Sequence, residues 1–261
     1  MSISYQTILY SVTNRVATIT FNRPDLLNAI NQQLREETLH ALNQAIADDE
    51  VRLIVITGSG RHFGAGQDLT SEDDFSAGVI ELIEKQYRPV IMGIYNSPKP
   101  VISAINGACA GVSSAFAMAC DLAVMADDAF IYMAFASIGL VPDGGACWFL
   151  ARQLGAKRAF QLIAEGGRLP ASECLKYGLV NKIVHGDKLK AEAQEWAETL
   201  SEGSPLAQKY AKQAVQAAFS SDLSTSISIE AGFQDICFKS MDFANAVEAF
   251  KEKKTPKFLG H

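Results

Sequence analysis

The stretch KPVISAINGACAGVSSAFAMACDLAVMA, residues 99–126, contains the succession of elements that decides the fold. Its first part, KPVISAIN (99–106), predicts a buried strand that ends at an Asn-Gly turn. GVSSAFAMACD (111–121) predicts a helix of small residues, and LAVMADDAFIYM (122–133) predicts two short strands. A strand, a helix and further strands in this order indicate an α/β core.

The same alternation extends on both sides of this stretch. TILYSV and VATITFN (7–12 and 16–22) predict a hairpin, and residues 31–49 carry the apolar spacing of an amphipathic helix. RLIVITGSG (52–60) predicts a buried strand, and residues 76–98 predict a helix that Pro98 ends. The alternation continues to about Val184.

Beyond Leu189 the apolar spacing is helical only, and it predicts four helices. This tail is too small to build its own core, so we expect it to pack on the α/β part or on another subunit. The sequence therefore predicts a core over residues 1–190 and a C-terminal helical region over residues 191–261.

Composition and charge exclude several classes of function. The net charge is −6, which argues against nucleic-acid binding, because such binding needs basic patches. The longest apolar stretch, 101–119, is interrupted by Asn106 and Gly107 and does not predict a membrane span. The five cysteines form no C-x-x-C motif, and the first residues lack the pattern of a signal peptide, so we expect a soluble cytoplasmic protein.

The glycine-rich segment GSGRHFGAGQDL (58–69) follows a predicted strand and must be tested as a nucleotide site. Phe63 occupies the position where G-x-G-x-x-G requires its last glycine, and the Gly-Lys-Ser/Thr ending of a P-loop is missing. The segment is then either a loop whose backbone N–H groups approach a ligand or a simple turn.

The helix predicted after Gly111 offers a second candidate site, because unpaired N–H groups at a helix start can stabilise an oxyanion. Val112 could supply such a donor, although the segment is equally typical of a helix buried against a sheet. The order Ser113, Asp143, His185 also matches that of the α/β-hydrolase triad. Ala115 stands where the hydrolase motif needs its closing glycine, which weakens this alternative.

Asp143 is an isolated acid in the apolar stretch IGLVPDGGACWFL (138–150). It could cap the helix that follows, or it could be a proton acceptor whose pKa the apolar surroundings raise. The residues alone leave these two roles open. The four histidines show no metal-ligand spacing, so we expect no metal site.

Seven segments together, covering nearly the full chain, resemble the crotonase (enoyl-CoA hydratase/isomerase) superfamily. They are FNRPDLLNAI, GSGRHFGAGQDL, KPVISAINGACAG, MACDLAVMADDAF, FASIGLVPDGGACWFLARQLG, ASECLKYGLVNKIV and AFKEKKTPKF. The resemblance implies a spiral of ββα units and a C-terminal helical region that builds trimers, often paired into hexamers. It also implies an acyl-CoA thioester as substrate and no separate cofactor, since CoA is part of that substrate.

The resemblance also implies roles for individual residues. The backbone N–H groups of Gln67 and Val112 match the two donors of the family's oxyanion hole. The matches to CoA-binding positions are Leu26, Leu27, Ala65, Gly66, Asp68, Leu69, Gly111, Phe250 and Lys253. The last two can reach the CoA of a neighbouring subunit.

The resemblance bears on the reaction through the positions of the catalytic acids. Hydratases of the superfamily carry two catalytic glutamates. Ala115 and Phe135 occupy these two positions here, and the resemblance therefore places both residues in the acyl pocket. MAFASIGLVPDGG (133–145) is similar to the branch of 1,2-epoxyphenylacetyl-CoA isomerases and Δ3,Δ2-enoyl-CoA isomerases, where one acid at the position of Asp143 moves the proton. A hydratase with atypical acids, a non-catalytic acyl-CoA binder and a serine hydrolase remain as alternatives.

Overall fold

Nine strands form two sheets in the part of the chain that the computed structural model describes, residues 4–71 and 78–261. In chain order they are β1 (Ile8–Thr13), β2 (Val16–Phe21), β3 (Leu53–Gly58), β4 (Val101–Ile105), β5 (Ala108–Ala110), β6 (Leu122–Ala126), β7 (Phe130–Tyr132), β8 (Arg168–Pro170) and β9 (Lys182–Val184). The larger sheet has the order β1–β2–β3–β4–β6–β9 and the smaller one β5–β7–β8. In the larger sheet β1 and β2 are antiparallel, and the other neighbouring pairs are parallel.

The larger sheet is apolar because its central strands are covered on both faces. All six residues of β3 and all five residues of β4 are buried, which explains why both sequences are largely apolar. The register runs from Val16 opposite Leu53 to Phe21 opposite Gly58. The glycine-rich loop therefore leaves the sheet at the carboxyl end of β3, an edge where parallel sheets commonly carry ligand sites.

The smaller sheet makes the fold a spiral. β4 is followed by β5 in the smaller sheet, and β6 is followed by β7, which pairs parallel with β5. An isolated bridge between Gly64 and Cys109 continues this pattern into the loop after β3. Successive turns of the chain thus place one segment in each sheet before a helical segment, which confirms the expected arrangement of ββα units.

The helices cover the sheets and form the C-terminal region. They are α1 (Gln32–Ala47), α2 (Val79–Glu81), α3 (Arg88–Tyr95), α4 (Val112–Met118), α5 (Ala146–Leu154), α6 (Ala156–Ala164), α7 (Ala171–Lys176), α8 (Leu189–Ser201), α9 (Pro205–Ala218), α10 (Leu223–Phe238) and α11 (Met241–Lys251). Short 3₁₀ segments occur at Pro24–Leu26, Ala134–Ile138 and Gly186–Lys188. A π-helical turn, Leu82–Tyr87, joins α2 to α3. The sequence predicts one helix over 76–98, of which residues 76 and 77 lie outside the described residues.

The four helices predicted after Leu189 are present as α8 to α11. The expected division at residue 190 falls inside α8, and this helix packs on β3, β4 and β6 through Leu189, Ala193 and Ala197. α9 is attached to the core by an ion pair of 2.9 Å between Lys212 and Asp121. Among the described residues, no helix has the length and apolar composition needed to cross a bilayer.

Candidate active site

Four segments that are distant in sequence line one cavity of about 200 Å³. They are the loop after β3, α2 with the π-helical turn that follows it, the start of α4, and the segment between β7 and α5. The lining residues are Ala65, Gly66, Gln67, Leu69, Val79, Leu82, Tyr87, Gly111, Val112, Ala134, Phe135, Ser137, Ile138, Leu140 and Asp143. The structure thus brings Asp143 to the same cavity as both predicted oxyanion donors.

The loop that carries Gln67 is held by backbone hydrogen bonds to Ile30. Ile30 N–H donates to the carbonyl of Gly66 at 2.8 Å, and the N–H of Asp68 donates to the carbonyl of Ile30 at 2.9 Å. In a trans peptide the N–H points opposite to the preceding carbonyl. Because the Gly66 carbonyl points at Ile30, the N–H of Gln67 is directed away from it.

The start of α4 approaches this loop closely because the residues in contact, Gly66 and Gly111, are both glycine. A Cβ atom on Gly66 would lie 3.2 Å from the carbonyl oxygen of Ala110 and 3.5 Å from the Cα of Gly111. Gly111 has φ 53° and ψ −135°, a conformation that a residue with a side chain rarely adopts. Val112 is the first residue of α4, so its N–H has no i−4 carbonyl inside the helix.

Asp143 has the surroundings of a proton acceptor. Its Oδ1 atom is buried and has no hydrogen-bond partner among the described residues. Burial raises the pKa of this carboxyl from the ordinary 3.8 to about 6. The helix that follows has Gly145 as its N-cap and no side-chain cap, so the alternative in which Asp143 caps that helix is wrong.

Gly144 and Gly145 set the direction of Asp143, with φ angles of 60° and 83°. A Cβ on Gly144 would lie 2.9 Å from Ile91, 3.0 Å from Ala115 and 3.2 Å from Val112. The Asp-Gly-Gly sequence is therefore needed to bring the acid past the start of α4 without a clash.

The hydrolase alternative fails on geometry. Ser113 is fully buried, and its Oγ accepts a hydrogen bond of 3.0 Å from the N–H of Gly66. His185 is exposed and is paired with Asp187 at 2.8 Å, while Asp143 Oδ1 has no described partner. The three residues Ser113, Asp143 and His185 do not form a triad.

Six of the nine residues expected to bind CoA fall into two groups. Ala65, Gly66, Leu69 and Gly111 line the cavity, as the lining set above shows. Leu26 and Leu27 are about half exposed, in a turn where Leu27 has φ 53°.

Asp68 differs from its neighbours because its carboxylate is used inside the protein. It forms an ion pair of 2.9 Å with Arg23 and accepts hydrogen bonds from the backbone and hydroxyl of Thr70. Burial alone would raise the pKa of Asp68, but these bonds outweigh it and hold the pKa below its usual value. The pair ties the turn containing Leu26 to the loop containing Gln67.

Four remaining residues of the expected site lie at different depths. Phe135 lines the cavity, whereas Ala115, also expected in the acyl pocket, is fully buried beside Gly144 and is not among the lining residues. Phe250 is 84% exposed near the end of α11, and Lys253 follows that helix with φ 55°; neither lines the cavity. Residues 4–71 and 78–261 contain no group of three or more acidic, histidine or cysteine side chains that could hold a metal ion.

Comparison with known proteins gives matches over nearly the whole chain. The family model for enoyl-CoA hydratase/isomerase matches residues 11–261. A probable enoyl-CoA hydratase of Rhodobacter capsulatus is 36% identical over 98% of this chain and 99% of its own length. The 1,2-epoxyphenylacetyl-CoA isomerase of Escherichia coli is 34% identical over 97% of this chain and 98% of its own. The crystal structure of an enoyl-CoA hydratase from Bacillus anthracis is similar with a TM-score of 0.93, 30% identity, and coverage of 98% and 100%.

Proposed function

Because the chain belongs to the enoyl-CoA hydratase/isomerase family, we propose that it is an acyl-CoA isomerase. It would move a double bond, or rearrange an epoxide, in a CoA thioester. The observation that supports this most is that Asp143 is the only carboxylic acid among the described residues that line the cavity. Ala115 and Phe135, at the positions of the hydratase glutamates, cannot transfer a proton.

In the proposed reaction the thioester carbonyl accepts hydrogen bonds from the N–H groups of Gln67 and Val112. Both residues line the cavity, and their N–H groups are fixed by the loop and by the helix start described above. Donors held in this way stabilise the negative charge that develops on the carbonyl oxygen, and each is worth about 3–4 kcal/mol in the transition state.

Asp143 then removes a proton from C2 of a 3-enoyl substrate and returns it to C4, which moves the double bond. A single acid is sufficient because the proton that it takes is the one that it gives back. Its pKa of about 6 leaves the carboxylate ionised at neutral pH while making it a stronger base than an exposed aspartate. Phe135 and Leu140 make the lining near Asp143 apolar, which disfavours the water that hydration would need.

CoA binding and subunit assembly follow from the same proposal. CoA enters as part of the substrate, so the reaction needs no separate cofactor, and Leu26, Leu27, Phe250 and Lys253 are proposed to contact CoA. We propose a homotrimer or a pair of trimers as the assembly. Large apolar side chains that are exposed on or next to α9, α10 and α11 support it, among them Val215, Phe219, Leu223, Ile227, Phe238, Met241 and Phe250.

Turnover of 3-enoyl-CoA and 2-enoyl-CoA by wild type and by Asp143→Asn tests this function. We expect wild type to isomerise the 3-enoyl thioester and to hydrate the 2-enoyl thioester poorly. Asp143→Asn should lower isomerisation by about 10²- to 10⁴-fold, because it removes the base. Asp187→Asn is the matched control, since Asp187 is exposed beside His185 and is not among the residues that line the cavity.

Each alternative predicts a different result in this experiment. Isomerisation that survives Asp143→Asn intact would refute the mechanism, and brisk hydration by wild type would favour a hydratase with atypical acids. Affinity for acyl-CoA without turnover of any enoyl-CoA would favour a non-catalytic binder. A panel of aliphatic and aromatic acyl groups would then identify the substrate.

A further inference from the structure

A buried arginine lies behind the loop that carries Gln67. Arg35 is on the buried face of α1 and is only 1% exposed. Its Nη1 donates to the Oε1 of Gln67 at 3.2 Å, and its Nε donates to the Oε1 of Gln86 at 3.1 Å. Its guanidinium also lies 4.8 Å from the centre of the Tyr87 ring.

The π-helical turn between α2 and α3 supplies two of these contacts. Gln86 and Tyr87 are the last two residues of the turn, and both reach the guanidinium of Arg35. The hydroxyl of Tyr87 also donates to the Oε1 of Gln67, and Tyr87 lines the cavity. Such turns are rare and occur frequently at functional sites.

The side chain of Gln67 is consequently held at both of its polar atoms. Its Oε1 accepts from Arg35 and Tyr87, and its Nε2 donates to the carbonyl of Asp68 at 3.2 Å. The backbone on either side of Gln67 is bonded to Ile30. Rotation of the peptide that carries the Gln67 N–H would break contacts on both the backbone and the side chain.

We propose that Arg35 and Tyr87 are positioning residues for the oxyanion hole, which keep the N–H of Gln67 aimed at the substrate carbonyl through its side chain. The proposal rests on the proposed function, because it takes Gln67 as an oxyanion donor. A donor that is already oriented stabilises the oxyanion without reorganisation, and a small loss of alignment lowers the rate. The buried arginine, whose guanidinium donates to Gln67, thus serves the site as well as the core.

The test measures the polarisation of a bound thioester carbonyl, which does not depend on turnover. Hexanoyl-CoA labelled with ¹³C at the carbonyl has no double bond to move, and its C=O stretch can be followed by difference infrared spectroscopy. Tyr87→Phe removes only the hydroxyl, and Gln67→Leu removes the side-chain acceptor while keeping the backbone N–H. Lys85→Gln, on the exposed side of the same π-helical turn, is the control.

We expect wild type and Lys85→Gln to shift the carbonyl stretch to lower frequency. Tyr87→Phe and Gln67→Leu should lose much of that shift while the affinity for hexanoyl-CoA changes less than about threefold. With an isomerisable 3-enoyl-CoA, kcat should fall by about tenfold with KM little changed.

The outcomes separate this inference from the proposed function. A full shift in both variants, or loss of hexanoyl-CoA binding in Tyr87→Phe, would overturn the positioning role and leave the isomerase proposal standing. A shift in wild type that the variants lose, without isomerisation of any 3-enoyl-CoA, would support the positioning role and overturn the isomerase proposal. No shift in wild type would overturn both.

Discussion

Replacing Asp143 with asparagine should make the protein less active and more stable at neutral pH. The carboxylate is held in a site that disfavours its charged form, because Oδ1 is buried without a hydrogen-bond partner among the described residues. Asparagine has nearly the same shape and carries no charge, so it avoids this cost. A residue selected for packing would show the opposite behaviour, since its replacement would lower stability.

The size of the effect follows from the pKa. A rise from 3.8 to about 6 corresponds to about 3 kcal/mol, at 1.36 kcal/mol for each pKa unit. The folded state binds the proton more tightly than the unfolded state, so this contribution to the free energy of unfolding falls as pH rises from about 4 to about 6. Below about pH 4 both states are protonated and the variant has no advantage; above about pH 6 the advantage is complete.

Urea denaturation of wild type and Asp143→Asn at pH 4, 5, 6 and 7.5 measures this difference. The free energy of unfolding of the variant minus that of wild type should grow with pH to at most about 3 kcal/mol. In parallel, kcat/KM of wild type should fall tenfold per pH unit below about pH 6, as the base becomes protonated. A stability difference that does not depend on pH would refute the claim that burial disfavours the charged form of Asp143.

Three further substitutions, one of them with a matched control, test the oxyanion donor Val112, the contact at Gly144 and the ion pair of Asp68. Val112→Pro removes one oxyanion donor at a helix position where proline is tolerated, so kcat should fall by about 10²-fold while the circular dichroism spectrum is unchanged. Gly144→Ala places a Cβ 2.9 Å from a neighbouring side chain and should lower the free energy of unfolding by about 1–3 kcal/mol. Gly139→Ala, which also has a positive φ but nothing within 4 Å, should cost less, and equal costs would contradict the role of the contact. Arg23→Gln leaves Asp68 buried without its ion pair and should destabilise the protein by about 3 kcal/mol in thermal unfolding, whereas a loss below about 1 kcal/mol would show that the pair is unimportant.

Most strands of the larger sheet could be predicted because they have a strong local pattern. β3 and β4 are largely apolar and fully buried, and α8 to α11 have helical spacing, whereas β9 has only three half-buried residues. Local spacing did not predict β5, β8, β9, α6 or α7 individually. β8 has only three residues and is formed by its antiparallel pairing with β7, a contact that local spacing does not show.

The candidate site could be predicted in part. The sequence fits two roles for Asp143, helix cap and proton acceptor, because its apolar neighbours are compatible with both. Only the tertiary structure shows that Gly145 is the N-cap of the following helix. Tyr87 and Arg35 were missed. The available signal was the charged Arg35 on the apolar side of an amphipathic helix, next to Leu34, but its partners are about 30 and 50 positions distant.

The most direct test of the central claim follows the transferred proton. A 3-enoyl-CoA labelled with deuterium at C2 is incubated with wild type in water enriched in ¹⁸O, and the product is analysed by NMR and mass spectrometry. The proposed mechanism yields a 2-enoyl-CoA that carries deuterium at C4 and no ¹⁸O, because Asp143 returns the proton that it removed. A 3-hydroxyacyl-CoA that contains ¹⁸O and has lost the transferred deuterium to water would contradict it.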